Sequence, residues 1–328
     1  MLTSLQKSLL SCLADQDLHS GAKLAASLGV SRTAVWKAVH QLQEAGFPVI
    51  HAPGRGYRLA FPYQPLSAEA IRAAAGAETA PAEIQVHDLI DSTNTHLLEL
   101  ARQGAAHGAV VLAEGQLRGR GRRGRAWCSP PGENLYLSVL LRFDRPVAAL
   151  GAFTLVAGLA LAEALNELGI RGHGVKWPND VWHQERKLAG ILSELQGEVQ
   201  GPCALVVGIG VNVHARESGA LPVDQPWTSL ALVQPGAAPD RNVLAGRLLA
   251  QLFRAYELFC QSGLGAFEGL WERYDLLRGR EVQVSGLRES LVGIACGVSP
   301  EGHLRVAAGG QVHHLHSGEV SVRPHGHA

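Results

Sequence analysis

Leu2, Leu5, Leu9, Leu10 and Leu13 recur at helical spacing and place one apolar stripe on a first helix. A second, shorter helix is expected over residues 22–28, with Gly29 as its stop signal. Ser31 offers an N-cap for a third helix, on which Val35, Val39 and Leu42 share a face until Gly46 ends it. Phe47-Pro48-Val49-Ile50 and Tyr57-Arg58-Leu59 read as short strands around Pro53-Gly54-Arg55-Gly56, a hairpin turn by composition. Two helices joined by a tight glycine-containing turn and followed by a basic hairpin describe a winged helix-turn-helix.

After a proline-rich linker, Phe61-Pro62-Tyr63-Gln64-Pro65, the pattern becomes that of a larger mixed α/β domain. Strands are expected over 84–87, 109–114, 135–141, 175–177, 188–195 and 204–213, and helices over 93–102, 149–168, 241–261 and 265–276. Beyond Arg280, short alternating strands over 281–284, 291–298, 304–306, 312–316 and 320–323, separated by Gly- and Ser-rich turns, predict a small closed β-barrel. The expected organisation is therefore a winged helix (1–61), a linker (62–66), an α/β domain (67–278), a barrel (279–323) and a disordered tail (324–328). No internal repeat is visible.

A length of 328 residues suits two or three domains, and a composition 46% hydrophobic and 18% charged excludes wholesale disorder. Lys plus Arg equals Asp plus Glu at 29 each, so a strongly basic coat is ruled out and any nucleic-acid contact must be local. The first sixty residues supply such a patch: Lys7, Lys23, Arg32, Lys37, Arg55 and Arg58 outnumber Asp15, Asp17 and Glu44. Beyond the cap Ser31, the third helix presents Arg32, Thr33, Trp36, Lys37 and His40 opposite its core stripe. A solvated basic face would explain these charges too, but Arg55 and Arg58 stand where a wing meets phosphate, which favours DNA. The five dispersed cysteines, with no C-x-x-C pair, suit reduced and mostly buried thiols in a cytoplasmic protein. The N-terminus lacks a signal peptide's apolar core and cleavage site, and the charge-free stretch 146–162 is too short for a membrane span, which makes it a buried core helix.

The most informative stretch is Gln116-Leu117-Arg118-Gly119-Arg120-Gly121-Arg122-Arg123-Gly124-Arg125. Alternating Gly and Arg neither build a stable helix nor pack a core, so a mobile, highly positive loop is expected. It lies between two core strands and not in a tail, which favours a lid closing over an anion above a nucleic-acid tether. No Lys-[Ser/Thr] follows, so it is not a Walker loop. In Lys176-Trp177-Pro178-Asn179-Asp180, Lys176 is placed to neutralise a phosphate and Asp180 to bind Mg²⁺ at a strand end where proline forces the chain out of the sheet; a structural turn explains the motif equally well. Lys187 stands at the mouth of the apolar strand Leu188-Ala189-Gly190-Ile191-Leu192, where a surface lysine is the ordinary reading. Asp91-Ser92-Thr93-Asn94 begins a helix, either as a plain cap or as a cradle for a small polar ligand. Gly208-Ile209-Gly210-Val211-Asn212 lacks the third glycine and the helix of a dinucleotide site. His313, His314 and His316 have no cysteine or carboxylate partner at ligand spacing and decorate strands. No signature of a covalent nucleophile is present.

These motifs, in this order and over essentially the whole chain, resemble the bacterial biotin–protein ligases that double as biotin-operon repressors. The resemblance implies a central catalytic domain related to class II aminoacyl-tRNA synthetases and lipoate ligases, and an SH3-like C-terminal barrel. It implies that biotin and MgATP give biotinyl-5′-AMP and pyrophosphate, and that the biotinyl group passes to a lysine of a biotin carboxyl carrier domain in acetyl-CoA carboxylase. It further implies biotinyl-5′-AMP as corepressor, operator DNA as partner and a ligand-promoted homodimer. Carried over by motif, Ser92, Thr93, Asn94 and Gln116 hold the biotin head. Arg120, Gly121 and Arg122 close over carboxylate and phosphate, and Lys187 bridges to the same group. Asp180 and Asn212 are candidates for metal or nucleotide contacts, with the adenylate loop expected between Val213 and Trp227 and the Trp227 ring against adenine. A lipoate ligase would share the central architecture but neither the arginine loop nor the winged helix. A repressor without catalysis fits poorly with Lys187, Asp180 and an intact loop, and an enzyme without a DNA role is the third alternative.

Overall fold

The computed structural model of the chain describes residues 2–81, 83–144, 150–197, 203–216, 225–286, 290–317 and 321–324. The first module contains α1 (Ser4–Cys12), α2 (Gly21–Leu28), α3 (Arg32–Glu44), β1 (Val49–Ala52) and β2 (Gly56–Leu59). Local capping sets the three helix starts: Thr3 and Gln6 form a capping box, and the Ser20 and Ser31 hydroxyls accept from Lys23 and Ala34 amides. Leu9, Leu10, Leu13, Leu24, Val35, Val39, Leu42 and Leu59 close a small core. His19 adds an antiparallel bridge to Tyr57 in the hairpin. Gly56 is required there, because at its φ of +125° a Cβ would lie 2.0 Å from the His19 carbonyl oxygen.

The central domain runs α4 (Ala68–Ala75), β3 (Ile84–Ile90), α5 (Thr93–Arg102), β4 (Val110–Gln116), β5 (Leu135–Phe143), α6 (Phe153–Glu167), β6 (His173–Lys176), β7 (Asp180–His183), β8 (Arg186–Gly197), β9 (Cys203–Val211), α7 (Leu230–Val233), α8 (Arg241–Ser262) and α9 (Glu268–Tyr274). Its seven strands form one sheet in the order β3-β4-β5-β9-β8-β7-β6, parallel between β3 and β4 and antiparallel elsewhere. One face is buried under α6 and α8, where Ile191, Val207, Ile209 and Val211 join the main core. The other carries α5, whose Leu97 and Ala101 pack on Val111, Leu140, Ala204 and Val206. Helix α6 is apolar on all sides and deeply buried, as the charge-free stretch predicted, although 145–149 lie outside the described residues. Three elements are additions to the sequence reading, α4, β7 and the one-turn α7. With β7 comes a correction: Pro178 does not lead the chain out of the sheet but sits in the turn of the β6–β7 hairpin, and Asp180 opens the returning strand opposite Lys176.

The C-terminal strands β10 (Glu281–Ser285), β11 (Leu291–Val298), β12 (Leu304–Ala308), β13 (Gln311–Leu315) and β14 (Ser321–Pro324) form an antiparallel sheet in the order β13-β12-β11-β10-β14. Its buried Val282, Val284, Leu304, Val306 and Leu315 are continuous with the central core. The Trp177 indole donates to the Gly302 carbonyl at 3.0 Å, tying the β6–β7 turn to this domain. Pro324, expected in the tail, ends β14 opposite Val282 instead, because pairing with β10 continues to that residue; 325–328 lie outside the described residues. All five cysteines are free as expected, but only Cys203 is buried, and Cys128 is exposed.

Candidate functional site

Strand β3 ends at Ile90, and the chain turns through Asp91 into α5, with the Ser92 side chain accepting from the Thr95 amide at 3.4 Å. This places Ser92, Thr93 and Asn94, each 4% exposed, under the α5 face of the sheet. The Thr93 amide and hydroxyl donate to Gln116 Oε1 at 2.9 and 3.1 Å, and Gln116 Nε2 donates to Ser129 Oγ at 2.9 Å. Ser138 Oγ lies 2.8 Å from Thr93 Oγ1 and 2.6 Å from Asn94 Oδ1, and Asn94 Nδ2 donates to the Leu192 carbonyl (3.1 Å) and to Glu194 (2.9 Å). Buried polar groups persist only when paired, and this chain of mutually paired side chains presents directional donors and acceptors to a small polar ligand. Sequence reasoning named four of these residues and missed Ser129, Ser138 and Glu194. Ser138 had a legible signal: it is a small hydroxyl residue set among the aliphatic Leu137, Val139, Leu140 and Leu141 of one strand.

Glycines make the floor. A Cβ at Gly208 would fall 2.1 Å from Asn94 Oδ1, and one at Gly210 would fall 2.6 Å from the Trp127 ring. At Gly190 it would meet the same ring at 3.0 Å and Lys187 Cε at 3.2 Å. Side chains therefore lie directly on the sheet, the ordinary meaning of glycine within a strand. Trp127 was also missed, and its buried Nε1 has no hydrogen-bond partner, leaving a donor for a ligand.

The Gly–Arg stretch, expected as a mobile loop, is folded as a compact hairpin. The amides of Gly121 and Trp127 donate to the carbonyls of Arg125 (2.7 Å) and Gly119 (2.9 Å), and Arg122–Gly124 makes one 3-10 turn. Glycine's freedom serves close approach here: a Cβ at Gly119 would lie 2.4 Å from the Trp127 carbonyl oxygen. Arg120 reaches Glu194 at 2.8 Å. Arg122 donates to Asn179 Oδ1 at 3.1 Å and to the Ser317 carbonyl of the C-terminal domain. Burial, followed by the Arg123 charge, lowers the Arg122 pKa, with Asp180 opposing.

Lys187 Nζ forms an ion pair with Asp180 at 2.8 Å and stands 5.3 Å from the Trp127 ring. Its backbone exchanges hydrogen bonds with Pro226 and Thr228, which brings Trp227 alongside, and Asn212 Nδ2 donates to the Thr228 carbonyl at 3.0 Å. Lys187, Asp180, Asn212 and Trp227 are thus neighbours, whereas residues 217–224 of the expected adenylate loop lie outside the described residues. Lys176, cross-strand from Asp180, rests its ammonium 4.2 Å from the Trp182 ring centroid. A separate cavity of about 200 Å³ opens on the α6 face of β8, lined by Thr154, Trp177, Asn179 and Ser193 with Arg122 at its rim. The paired chain from Ser92 to Gln116 and the floor glycines lie on the opposite face.

On the winged helix, Ser31 caps α3, and Arg32, Thr33, Trp36, Lys37 and His40 are all exposed. Trp36, 55% exposed, contacts the His40 ring at 5.6 Å between centroids. Arg55 stands exposed in the hairpin turn, and Arg58 lies on β2 opposite Ile50. Among the described residues, no helix is long and apolar enough to cross a membrane, and no three His, Cys, Asp or Glu stand together as a metal site.

An α/β domain that handles a small anionic ligand, joined to a winged-helix head, is the class the fold and site define. Three family descriptions match it segment by segment: HTH domain over residues 5–58, Biotin/lipoate A/B protein ligase family over 86–212, and Biotin protein ligase C terminal domain over 278–323. The chain is 39% identical to the Bifunctional ligase/repressor BirA of Escherichia coli (strain K12), covering 96% of each chain. It is 30% identical to that of Bacillus subtilis (strain 168), over 98% of this chain and 100% of the relative. Among solved structures, the biotin protein ligase from Aquifex aeolicus in complex with biotin and ATP superposes with a TM-score of 0.64 at 30% identity, over 74% of this chain and 99% of that one. The chain belongs to the biotin–protein ligases, in the bifunctional ligase/repressor family.

Proposed function

We propose that this protein activates biotin with ATP and transfers it to a lysine of the biotin carboxyl carrier domain of acetyl-CoA carboxylase, and that with biotinyl-5′-AMP bound it represses transcription from operator DNA as a homodimer in the cytoplasm. The observation that carries the reading is the convergence of one polar chain (Ser92, Thr93, Asn94, Gln116) and two cations (Arg120, Lys187) on the glycine-floored face of one sheet, with Arg122 of the same hairpin held beside it by Asn179 and the Ser317 carbonyl. In the first step the biotin carboxylate oxygen attacks the α-phosphorus of ATP, and the bond to pyrophosphate breaks. This joins like charges, so Lys187 and the arginines act by stabilising charge that develops in the transition state. An arriving carboxylate displaces Glu194 from Arg120, and the adenylate phosphate takes contacts from Arg122 and Lys187. In the second step the acceptor lysine amine attacks the acyl carbon, AMP leaves with the electron pair, and the amine loses a proton. The acceptor supplies the nucleophile, which accounts for the lack of a nucleophile signature on this chain.

Among the described residues, no group of His, Cys, Asp or Glu builds a metal site of its own. Asp180, the carboxylate expected to bind Mg²⁺, is paired with Lys187. Mg²⁺ therefore enters this proposal only as a companion of the ATP phosphates, and no step is assigned to it. The exposed face of α3 with Arg55 and Arg58 is the proposed operator contact, the helix to the major groove and the hairpin to phosphate. The deciding experiment combines the protein, biotin, MgATP and a carrier domain. One biotinyl group on one lysine by mass spectrometry supports the reading, and an unmodified carrier overturns it.

A further inference from the structure

The segment between the two modules is held along its length. The buried Phe61 ring stacks on His214, with centroids 5.2 Å apart and planes at 11°. Buried Tyr63 packs edge-on against Phe47 and covers Gly132. The Gln64 carbonyl accepts from Arg241 at 2.7 Å, and the Pro65 carbonyl accepts from Asn242 at 3.1 Å. The Leu66 amide donates to Glu114 at 2.7 Å, and the Ser67 amide donates to Asn242 at 2.8 Å. These four consecutive residues each give a backbone group to the central domain.

Arg241 is the centre of this arrangement. It is 1% exposed, pairs with Glu114 at 2.8 Å, and donates to the Asn134 carbonyl at 3.2 Å as well as to Gln64. Glu114 lies on β4 two residues before Gln116. The Asn134 side chain in turn accepts from the Val213 amide at 2.9 Å, immediately after Asn212. One guanidinium therefore joins the interdomain segment, the strand carrying a biotin-head residue, and, through Asn134, the chain leaving the nucleotide residue. Only a planar fork of five donors serves a carboxylate and two carbonyls from one fixed point. The strand ladders already hold β4, β5 and β9 together, and buried ion pairs add little stability over apolar packing, so fixed relative geometry is what this pair supplies.

We propose that Arg241 is a positioning residue that makes the attitude of the winged helix and the geometry of the biotin and adenylate site a single mechanical unit. Ligand binding at Gln116 and Asn212 is transmitted through Glu114 and Asn134 to the segment that orients the DNA-binding face, and the reverse holds by linkage. This rests on the ligase/repressor reading above.

The test uses the full chain with R241K, which keeps a cation beside Glu114 but loses the fork, and R241M/E114L, which replaces the buried pair by apolar groups. Operator affinity, on DNA selected by the protein from a random library, is measured with and without biotin plus MgATP, alongside biotinylation kinetics. In both variants the ligand-driven rise in operator affinity is expected to shrink by about tenfold or more. The biotin KM rises while kcat changes little, a split that general loss of folded protein would not produce. Variants that keep the wild-type rise and the wild-type KM overturn the proposal. Hydrogen exchange on the unmodified protein provides a second measurement independent of any variant's folding. Added biotin and MgATP should slow exchange of the Leu66 and Ser67 amides, and unchanged exchange with the site saturated overturns the proposal. A wild-type protein that carries out no biotinylation, or whose operator affinity ignores ligand, instead overturns the functional reading.

Discussion

The ammonium of Lys187 and the carboxylate of Asp180 meet at 2.8 Å, with side chains only 14% and 13% exposed. Asp180 comes from the returning arm of the β6–β7 hairpin and Lys187 from the next strand, so the pair is built by register within one meander. Asp180 holds the ammonium in one position, while the Trp127 ring 5.3 Å away covers its side. Lys187→Ala should slow single-turnover adenylate formation by about 10²–10³, the cost of removing one charge-stabilising donor. The fold and the winged helix stay intact. Adenylate formed at the wild-type rate would remove Lys187 from the chemistry.

Arg122→Gly should let the activated intermediate escape. The change removes the contacts to Asn179 and to the Ser317 carbonyl and adds backbone freedom to a hairpin already rich in glycine. A mixed anhydride reacts with any amine, so serum albumin added to biotin, MgATP and the variant should become labelled on a streptavidin blot. Labelling that stays confined to the carrier domain would show that Arg122 does not close the site.

Gly208→Ala tests the floor. The new methyl would lie 2.1 Å from Asn94 Oδ1, so Asn94 must abandon its bonds to Ser138, Leu192 and Glu194. Overpacking of this kind costs about 1–3 kcal/mol in denaturant unfolding. Biotin affinity, read by calorimetry, should fall at least about tenfold, equivalent to 1.4 kcal/mol. Undiminished affinity would place the biotin head elsewhere.

Two neighbouring groups at the junction titrate in opposite senses. Burial, then Arg241 and Arg216, push His214 down from 6.5 to about 4, and burial raises Glu133 from 4.5 to about 6. Between pH 4 and 6.5 the folded state binds fewer protons at His214 than the unfolded chain, so its contribution is whole above 6.5 and is lost as pH falls towards 4. Glu133 contributes below pH 4.5 and loses that contribution as pH rises to 6. The wild-type urea midpoint should thus change little across pH 4.5–6. Glu133→Gln should expose the His214 slope, about 3 kcal/mol over its full range at 1.36 kcal/mol per unit. Matching wild-type and variant profiles would show that Glu133 does not titrate there.

Arg55→Ala should weaken binding to all DNA sequences alike and lower the slope of log affinity against log salt by about 1, as expected for one lost phosphate contact. Trp36→Ala, on the exposed face of α3, should instead change which operator sequences are preferred. Gel shifts across a salt series distinguish the two, and an unchanged salt slope would take Arg55 off the phosphate backbone.

What the chain declares by itself is local. Ser31 and Ser92 cap helices because a hydroxyl meets amides three residues on, and the α3 face of Arg32, Trp36, Lys37 and His40 follows from helical period alone. The Gly–Arg run stands out by composition alone, although its hairpin does not, and the Lys187 segment, which alone reads as a surface lysine at a strand mouth, is legible only in order with the other motifs. The four-residue β7 was not legible, since its place depends on the edge that β8 offers it, nor was α4, whose alanine-rich run needs the close approach permitted at Gly246 of α8. Ser138, Trp127 and the glycine floor gain meaning only when β5, β8, β9 and the arginine hairpin share a face. Arg241 is the extreme case. Its partners Gln64, Glu114 and Asn134 lie 107 to 177 residues away, and no periodicity along a chain encodes which carbonyls a buried guanidinium will meet. Caps and stripes follow from contacts within a few residues, whereas the site depends on strand register and helix packing between distant segments, which only the folded chain brings together.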